Sequence, residues 1–311
     1  MLLRKYLPSN SICPTAGHSL FSLPTLVLVA LLSVSVFSAS AQPASKASSK
    51  SKAPAQSQPA GKHLILAISE GTSGSIDPLE AVAKYRPLAD VLGTAIGQQV
   101  IVTLVRSFEA LEEGMKKDAF DLVMARPSDY PGRGVRDYGY SLIATSKPDG
   151  QCYFLVEKSS PLKKLSDAKG KQIMFPEKIA YMTRFCSAEM RDHGVDVKKE
   201  QVRYAKEQGA VGWTVQNKLS DVGGVASYAA VAKGWEKSGQ RVLHKSVTQP
   251  YFPLIASKRV APEKIAKMQK ALANIGATDE GKKVLATIGI QGYNIESQER
   301  LLNLLKWLEK A

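Results

Sequence analysis

Residues 85–130 constrain the fold most, because helical and strand patterns alternate there without interruption. The segment opens with Leu88, Val91 and Leu92, whose i, i+3, i+4 spacing places them on one face of a helix. Gly97 follows the last apolar residue and predicts the end of that helix. An amphipathic helix is therefore expected at the start of this segment.

Two strand patterns and a second helix follow. Residues 100–105 form an unbroken apolar and β-branched run, which is typical of a buried parallel strand covered on both faces. Ser107 is a suitable N-cap, and with Glu109 in the first turn it predicts a short helix over residues 108–115. Residues 120–125 form the next apolar run. Strands that alternate with helices predict an α/β fold with parallel strands.

This order of elements resembles the substrate-binding proteins of phosphate, phosphite and phosphonate ABC transporters, the PhnD-like family. Weaker similarity continues through residues 165–173 and 219–225, so the resemblance covers most of residues 64–273. The residues that carry it in the first segment are Tyr85, Pro87, Leu88, Ala89, Leu92, Glu109, Ala110, Gly114, Asp121, Leu122, Val123 and Tyr130.

The resemblance implies a fold and a function. The fold is the bilobal type 2 periplasmic-binding-protein fold, in which two α/β lobes are joined by a two-segment hinge. The function is capture of a small oxyanion, such as phosphate, phosphite or phosphonate, by hinge closure, with an ABC permease of the inner membrane as partner. No cofactor and no catalytic residue are implied, and a monomer is expected. An alternative is a periplasmic sensor that presents a bound organic anion to a membrane receptor kinase.

One segment departs from the family pattern. Where the family typically has a Ser-Thr-Ser-Gly-like turn that grips phosphate at the start of a helix, this chain has residues 177–185, in which only Thr183 offers a comparable hydroxyl. The identity of the anion therefore stays open.

The N-terminus has the pattern of a secretory signal. Arg4 and Lys5 precede the apolar block 25–37, and an Ala-Ser-Ala cleavage site ends at Ala41. We expect residues 1–41 to be a cleaved signal peptide that directs the protein to the periplasm. An uncleaved anchor is the alternative, because the uncharged stretch that includes this block is almost long enough to span a bilayer.

The remaining boundaries follow from composition and from two predicted crossings. Residues 42–62 contain no large apolar side chain, which predicts a disordered linker. Crossings near residues 146–151 and 246–253 divide the rest. The predicted lobe 1 comprises residues 63–147 and 247–311, and the predicted lobe 2 comprises residues 148–246.

Charge and cysteine content limit the other possibilities. The formal net charge is +14, of which residues 1–62 contribute +6; in the rest of the chain basic residues are dispersed among acidic ones and no nucleic-acid-binding motif is present, so nucleic acid is not an expected partner. Cys152 and Cys186 follow the predicted signal. In an oxidising compartment they either pair as a disulfide or remain two separately buried thiols.

The ligand is expected at loops that follow strands, because open α/β sheets bind ligands at the carboxyl ends of their strands. Such loops follow the strands near residues 68, 105, 125, 175 and 226, and all should face one cleft. Arginine forks suit oxyanions, and serine, threonine and tyrosine hydroxyls donate hydrogen bonds to them. The predicted ligand-binding residues are Ser69, Thr72, Ser73, Arg106, Arg126, Ser128, Tyr130, Tyr181, Thr183, Arg184, Ser227 and Tyr228.

An enzyme is not expected. The chain has four histidines, of which His193 and His244 are solitary in the sequence, and no metal-ligand, nucleotide-loop or nucleophile motif occurs. No metal site is predicted. Trp213 lies in a helical pattern and is expected in the core rather than in the ligand site.

Overall fold

Two α/β lobes, each built on its own sheet, form the part of the chain that the structure describes. The computed structural model describes residues 63–72 and 76–310. The predicted signal peptide 1–41 and linker 42–62 lie outside the described residues. In the described ranges, no helix has both the length and the apolar character needed to cross a membrane.

Strands and helices alternate along most of the chain. The strands are β1 His63–Ser69, β2 Gln99–Leu104, β3 Leu122–Ala125, β4 Ser141–Gly150, β5 Cys152–Val156, β6 Gln172–Phe175, β7 Gln201–Tyr204, β8 Val222–Ala226, β9 Arg241–Lys245, β10 Gln249–Ala256 and β11 Gly292–Asn294. The helices are α1 Pro78–Ile96, α2 Phe108–Lys116, α3 Asp129–Asp137, α4 Tyr181–Asp192, α5 Gln208–Gln216, α6 Ala230–Trp235, α7 Pro262–Ala273, α8 Asp279–Ile288 and α9 Gln298–Leu308. Single turns of 3₁₀ helix lie at Leu165–Ala168, Val197–Lys199, Glu236–Ser238 and Ile275–Ala277.

The predicted cap at Ser107 and the predicted helix end at Gly97 are confirmed, and the structure adds a cap at Asp77. The Asp77 side chain accepts a hydrogen bond from the backbone N–H of Leu79 at 2.8 Å, and α1 begins at Pro78. Ser107 caps α2 in the same way, through the N–H of Ala110. Gly97 ends α1 in the left-handed conformation, at φ 66°, which glycine adopts without steric cost.

Within the described residues, the first sheet has six strands. Its order is β11-β4-β10-β3-β1-β2. β1 pairs in parallel with β2 and β3, and β10 runs antiparallel between β3 and β4. The expectation that β2 is covered on both faces is wrong. β2 is an edge strand, and Ile101 is 40% exposed, because a β-branched run does not distinguish an edge strand from a central one.

The second sheet has the order β7-β6-β8-β5-β9. β6 pairs in parallel with β7 and β8, whereas β5 runs antiparallel to β8 and β9. The chain enters this sheet where β4 of the first sheet continues through Gln151 into β5, and it leaves between β9 and β10. The two segments are hydrogen-bonded to each other, since the N–H of Cys152 donates to Ser246 Oγ at 2.8 Å. The lobes are thus joined by two adjacent crossings.

A disulfide lies in the core of the second lobe. Cys152 at the start of β5 is bonded to Cys186 in α4, which decides between the two alternatives that the sequence left open. Both side chains are fully buried. The bond fixes α4, whose first turn reaches the space between the lobes, to the central part of the second sheet.

Gly224 in β8 allows α4 to lie close to this sheet. A Cβ atom at this position would lie 2.6 Å from Phe175 and 2.9 Å from the sulfur of Cys186, both below normal contact distance. We expect Gly224→Ala to lower the free energy of unfolding by about 1–3 kcal/mol through overpacking, measured by urea denaturation. Gly234→Ala in α6 is the control, because its Cβ meets open space. A Gly224→Ala variant as stable as that control would contradict the close packing.

The C-terminal helix α9 contacts both lobes. It packs on the first lobe through buried Leu301 and Leu304, and it also touches α4 of the second lobe. There the Trp307 ring meets Phe185 edge-on at 5.3 Å, and its Nε1 donates to Asp192 at 2.6 Å. This helix, which the predicted boundaries assign to lobe 1, therefore contacts both lobes.

Trp213 does not lie in the core as the sequence suggested. It is 57% exposed, whereas Val211 and Val215 of the same helix are buried against the sheet. Residues two apart on a helix point roughly 200° apart, so the two valines face inward and the tryptophan between them faces solvent.

Candidate functional site

A cavity of about 510 Å³ lies between the lobes at the carboxyl ends of their strands. Loops after β1 and β2 of the first lobe line one side, and loops after β6 and β7 of the second lobe line the other. This volume is in the range of small-molecule sites. Its polar lining residues include Thr72, Arg106, Glu177, Lys206 and Glu207.

A second space of about 10 Å³, room for roughly one water molecule, shares Glu70, Gly71, Thr72 and Phe108 with the cavity, and we call it the inner space. Gly71 closes one wall. Its φ of 58° is left-handed, and a Cβ there would lie 3.2 Å from the Pro127 ring, so the β1 loop and the β3 loop approach closely. The other lining residues are Glu70, Thr72, Phe108, Arg126, Tyr181, Met182, Gln208 and Tyr228.

Helix N-termini reach this inner space from the second lobe. Tyr181 and Met182 begin α4, and Gln208 begins α5. Neither N-cap residue, Ala180 or Glu207, caps its helix with its side chain, and the Gln208 N–H of α5 donates to the Thr72 carbonyl at 3.4 Å. The first N–H groups of such helices carry a partial positive charge and suit a negatively charged group.

Arg126 is paired with Glu70, a residue that the sequence reasoning did not select. The Arg126 Nε donates to Glu70, whose other oxygen accepts from Lys84 at 2.7 Å and from the Tyr85 hydroxyl at 2.5 Å. Burial opposes ionisation of Glu70, but the charges of Arg126 and Lys84 and the hydrogen bonds from Lys84 and Tyr85 lower its pKa to about 2. Two cations share one carboxylate, which leaves one net positive charge beside the inner space.

The Arg126 guanidinium is also enclosed by aromatic rings. It lies 4.6 Å from the centroid of Phe252 and 5.5 Å from the centroids of Tyr228 and Tyr251. Tyr228 stacks on Tyr251 with their centroids 4.1 Å apart. Of these, Arg126 and Tyr228 were predicted ligand-binding residues, and both line the inner space.

Arg184 forms an ion pair across the two lobes. Its guanidinium contacts buried Asp129 at the start of α3, and Arg133 reaches the same carboxylate at 3.2 Å. Burial raises the pKa of Asp129, against the effect of the two arginines. Tyr130 lies between them, stacked on Phe108 at 5.4 Å with the Arg133 guanidinium 4.3 Å from its ring. The predicted Arg184 and Tyr130 therefore form part of the contact between the lobes.

Three other predicted residues also stand at this contact. The Tyr181 hydroxyl is hydrogen-bonded to Ser128 of the first lobe, and burial raises the Tyr181 pKa well above its usual value. Tyr181 is therefore neutral and remains a donor. Thr72 Oγ1 meets Gln208 Nε2 of the second lobe at 3.5 Å.

The remaining predicted residues have protein partners or lie at the margin. Thr183 Oγ1 donates to the carbonyls of Pro176 and Glu177, so it holds the loop before α4. Ser227 Oγ accepts from the N–H of Gln151 at the first crossing. Arg106 donates to the carbonyl of Ile76 at 3.0 Å on the cavity rim. Ser69 is fully buried, and Ser73 lies outside the described residues.

Gln208 and Glu70 are the site residues that sequence reasoning missed. Gln208 Oε1 accepts from the N–H of Ala226 at 2.5 Å, which fixes its amide at the inner space. It follows β7, a short polar strand whose apolar pattern is weak. The loop after β7 was therefore not among the predicted ligand-binding loops. Glu70 directly follows buried β1, and an acidic residue at that position was the available signal.

Two α/β lobes joined by two crossings, with a ligand-sized cavity between them, define a type 2 periplasmic binding protein. A model of the family described as "ABC transporter, phosphonate, periplasmic substrate-binding protein" matches residues 72–301. The chain belongs to this family. No curated protein sequence matches the chain at a significant level.

Solved structures agree on the fold. The chain is similar to PhnD1 from Prochlorococcus marinus in complex with methylphosphonate, with a TM-score of 0.63 and 12% identity over 79% of this chain and 97% of that one. The chain is also similar to XAC2383 from Xanthomonas citri bound to ATP, with a TM-score of 0.65 and 12% identity over 80% of this chain and 98% of that one. For the aliphatic sulphonate binding protein SsuA from Escherichia coli, the TM-score is 0.53 and the identity is 14%, over 80% of this chain and 79% of that one. At these identities the likeness shows the fold alone.

Proposed function

We propose that the protein captures a small oxyanion, such as phosphonate, phosphite or phosphate, between its lobes and delivers it to an ABC permease without catalysing a reaction. The observation that carries this proposal is the inner space beside the interlobe cavity, which is lined by the first residues of α4 and α5 and by hydroxyl and amide side chains that can donate hydrogen bonds. The anionic group would lie in the 510 Å³ cavity at the mouth of this space, which itself has room for roughly one water molecule, and the rest of the cavity would receive an organic substituent.

The charges beside the inner space support an anion. Arg126 and Lys84 share the carboxylate of Glu70, so these three side chains together carry one net positive charge. The bound anion would therefore be recognised mainly by backbone N–H groups and by the Tyr181, Thr72 and Gln208 side chains, rather than by a free arginine fork.

Closure about the two crossings would report occupancy to the permease. We assign residues 63–147 with 247–311 and residues 148–246 to the two moving bodies. A ligand that contacts both lobes stabilises the closed form by its differential affinity. The disulfide fits export to the periplasm after cleavage of the predicted signal peptide, because disulfides persist in oxidising compartments. We propose that the protein acts as a monomer.

Titration calorimetry of the full chain with phosphate, phosphite, methylphosphonate, sulfonates and small carboxylates tests this function. We expect one of these anions to bind, and Tyr181→Phe and Thr72→Val each to weaken its binding about tenfold or more, because each removes a donor to a charged group. Small-angle scattering should show a smaller radius of gyration on binding.

Tyr204→Phe is the matched control for the tyrosine variant, since Tyr204 is 45% exposed on β7 and should leave binding unchanged. Absence of binding by every anion tested would contradict the proposed function. Binding that survives both Tyr181→Phe and Thr72→Val would place the ligand elsewhere.

A further inference from the structure

We propose that Glu189, His193 and His244 form a binding site for a divalent transition-metal ion, for which Zn²⁺ is the best fit, in the second lobe. The two histidines, which are far apart in the sequence, lie next to each other in the structure. Their rings lie 4.6 Å apart in an edge-on arrangement, and both contact the same carboxylate. One ligand atom from each of the three residues lies within 4.8 Å of the others.

The distances suit a small ion after minor adjustment. His244 Nε2 lies 2.7 Å from Glu189 Oε1. In a tetrahedral zinc site with bonds of about 2.0–2.1 Å, ligand atoms lie about 3.3 Å apart. The 2.7 Å separation is somewhat shorter than that value, and the ligand atoms of all three residues lie within 4.8 Å of one another, so small side-chain movements would form the site.

A hydrogen bond orients one imidazole as metal sites require. His193 Nδ1 lies 2.9 Å from the backbone carbonyl of Glu189, which can only accept, so Nδ1 carries the proton. The other ring nitrogen, Nε2, is then free of a proton. Histidines that bind metal almost always donate their second ring N–H to a carbonyl or carboxylate in this way.

The electrostatics of Glu189 also favour a cation. The residue is 2% exposed, and within the described residues the two histidines are its only ion-pair partners. Its second oxygen accepts a long hydrogen bond, 3.4 Å, from the N–H of Val247. A buried carboxylate without a permanently charged partner is costly, and a divalent ion would compensate it.

The site stands on rigid elements and is open to solvent. Glu189 and His193 are one turn apart at the end of α4, which the disulfide through Cys186 fixes to β5. Phe154 of β5 pairs with His244 of β9. The side chains of His193 and His244 are 41% and 26% exposed, so an ion can enter and a water molecule can fill the fourth position.

This site is separate from the interlobe cavity. Tyr181 and Glu189 lie at opposite ends of α4, about 12 Å apart along the helix axis. Two histidine nitrogens and one carboxylate oxygen are a ligand set typical of zinc, and the affinity order of such sites also allows Cu²⁺ and Ni²⁺. We infer that the ion stiffens the second lobe beside the crossing at residue 247.

The test is zinc binding by the full chain, prepared without a polyhistidine tag in a chelator-free and phosphate-free buffer. We expect one Zn²⁺ per chain by calorimetry and elemental analysis. The melting temperature should rise by roughly 5–10 °C at a hundredfold excess over the dissociation constant. Substitution by Co²⁺ should give the intense visible absorption of a four-coordinate site.

Variants identify the ligands. His193→Asn and His244→Gln should each weaken zinc binding more than about 100-fold, because even loss of a partner that only orients a ligand costs about 10–100-fold. His63→Gln, which removes an exposed histidine of the first lobe, should bind as the unaltered chain does. Stoichiometric binding that is unaffected by both site variants, or no stoichiometric binding, would overturn the proposal. If His244→Gln fails to fold, zinc binding by His193→Asn still tests the proposal, because His193 is exposed.

Discussion

Replacing Glu70 by glutamine is expected to lower the free energy of unfolding by about 3–5 kcal/mol at pH 7, because it removes the one carboxylate that compensates buried Arg126. Glutamine has nearly the same shape, so packing is preserved and the loss reports charge. Lys84 and the Tyr85 hydroxyl lose the same partner. Urea denaturation of the full chain measures the difference.

The same variant should remove a specific part of the pH dependence. The pKa of Glu70 is lowered from 4.5 to about 2 in the folded protein. Its ionised form therefore stabilises the fold fully above pH 4.5, and this contribution, about 3 kcal/mol, is lost as the pH falls from 4.5 to 2. The difference between the unaltered protein and Glu70→Gln should narrow across that window.

A matched control is Glu113→Gln, since Glu113 makes only exposed ion pairs with Lys116 and Lys117 on α2. Exposed pairs of this kind contribute little, so stability at pH 7 should change by less than about 1 kcal/mol. An equal effect of the two substitutions, or a difference for Glu70→Gln that stays constant down to pH 2, would show that Glu70 does not compensate Arg126.

Removal of the disulfide is expected to lower the free energy of unfolding by about as much as Glu70→Gln does. Replacing Cys152 and Cys186 together by alanine should lower the free energy of unfolding by about 4 kcal/mol, because the unfolded chain regains the freedom of a closed loop with a sequence separation of 34. Urea denaturation of the oxidised protein and of the double variant measures this loss.

Reductant separates the cross-link from packing. Dithiothreitol should lower the urea midpoint of the unaltered chain towards that of the double variant and leave the variant unchanged. Both sulfurs are fully buried, so reduction should be slow in the folded protein and fast in urea. A midpoint that does not respond to reductant would contradict a stabilising disulfide.

Zinc binding by the second lobe would depend on the same bond. The disulfide fixes α4, which carries Glu189 and His193, to the strand that pairs with the strand of His244. Distances among these three side chains are thus set by one covalent link and one strand register. Neither feature is local, which explains why the histidines looked solitary in the sequence.

Local features were predictable from the sequence. Asp77 and Ser107 cap their helices because each side chain reaches an N–H only two or three residues away. Gly97 ends α1 because its own backbone conformation requires glycine. The family resemblance, which covers most of residues 64–273, also implied the two-lobed fold; the matched family confirms the first, and the two sheets confirm the second.

Features that depend on neighbours distant in sequence were not predictable. Ile101 lies at a sheet edge although its strand reads as central, and Trp213 faces solvent although its helix reads as buried. The sequence placed Arg126 in the site, but only the fold brings it against Glu70, which lies 56 positions away. The sequence alone could not show that the positive charge of Arg126 is already paired with Glu70.

The sequence by itself determined the alternation of strands and helices, their caps and the set of loops that follow strands, because short-range sterics and hydrogen bonds control these features. The tertiary structure alone decided which charges neutralise each other, which cysteines bond and which histidines meet. Those outcomes depend on distances of a few ångströms between groups far apart in the chain, and electrostatic and covalent interactions change steeply over such distances.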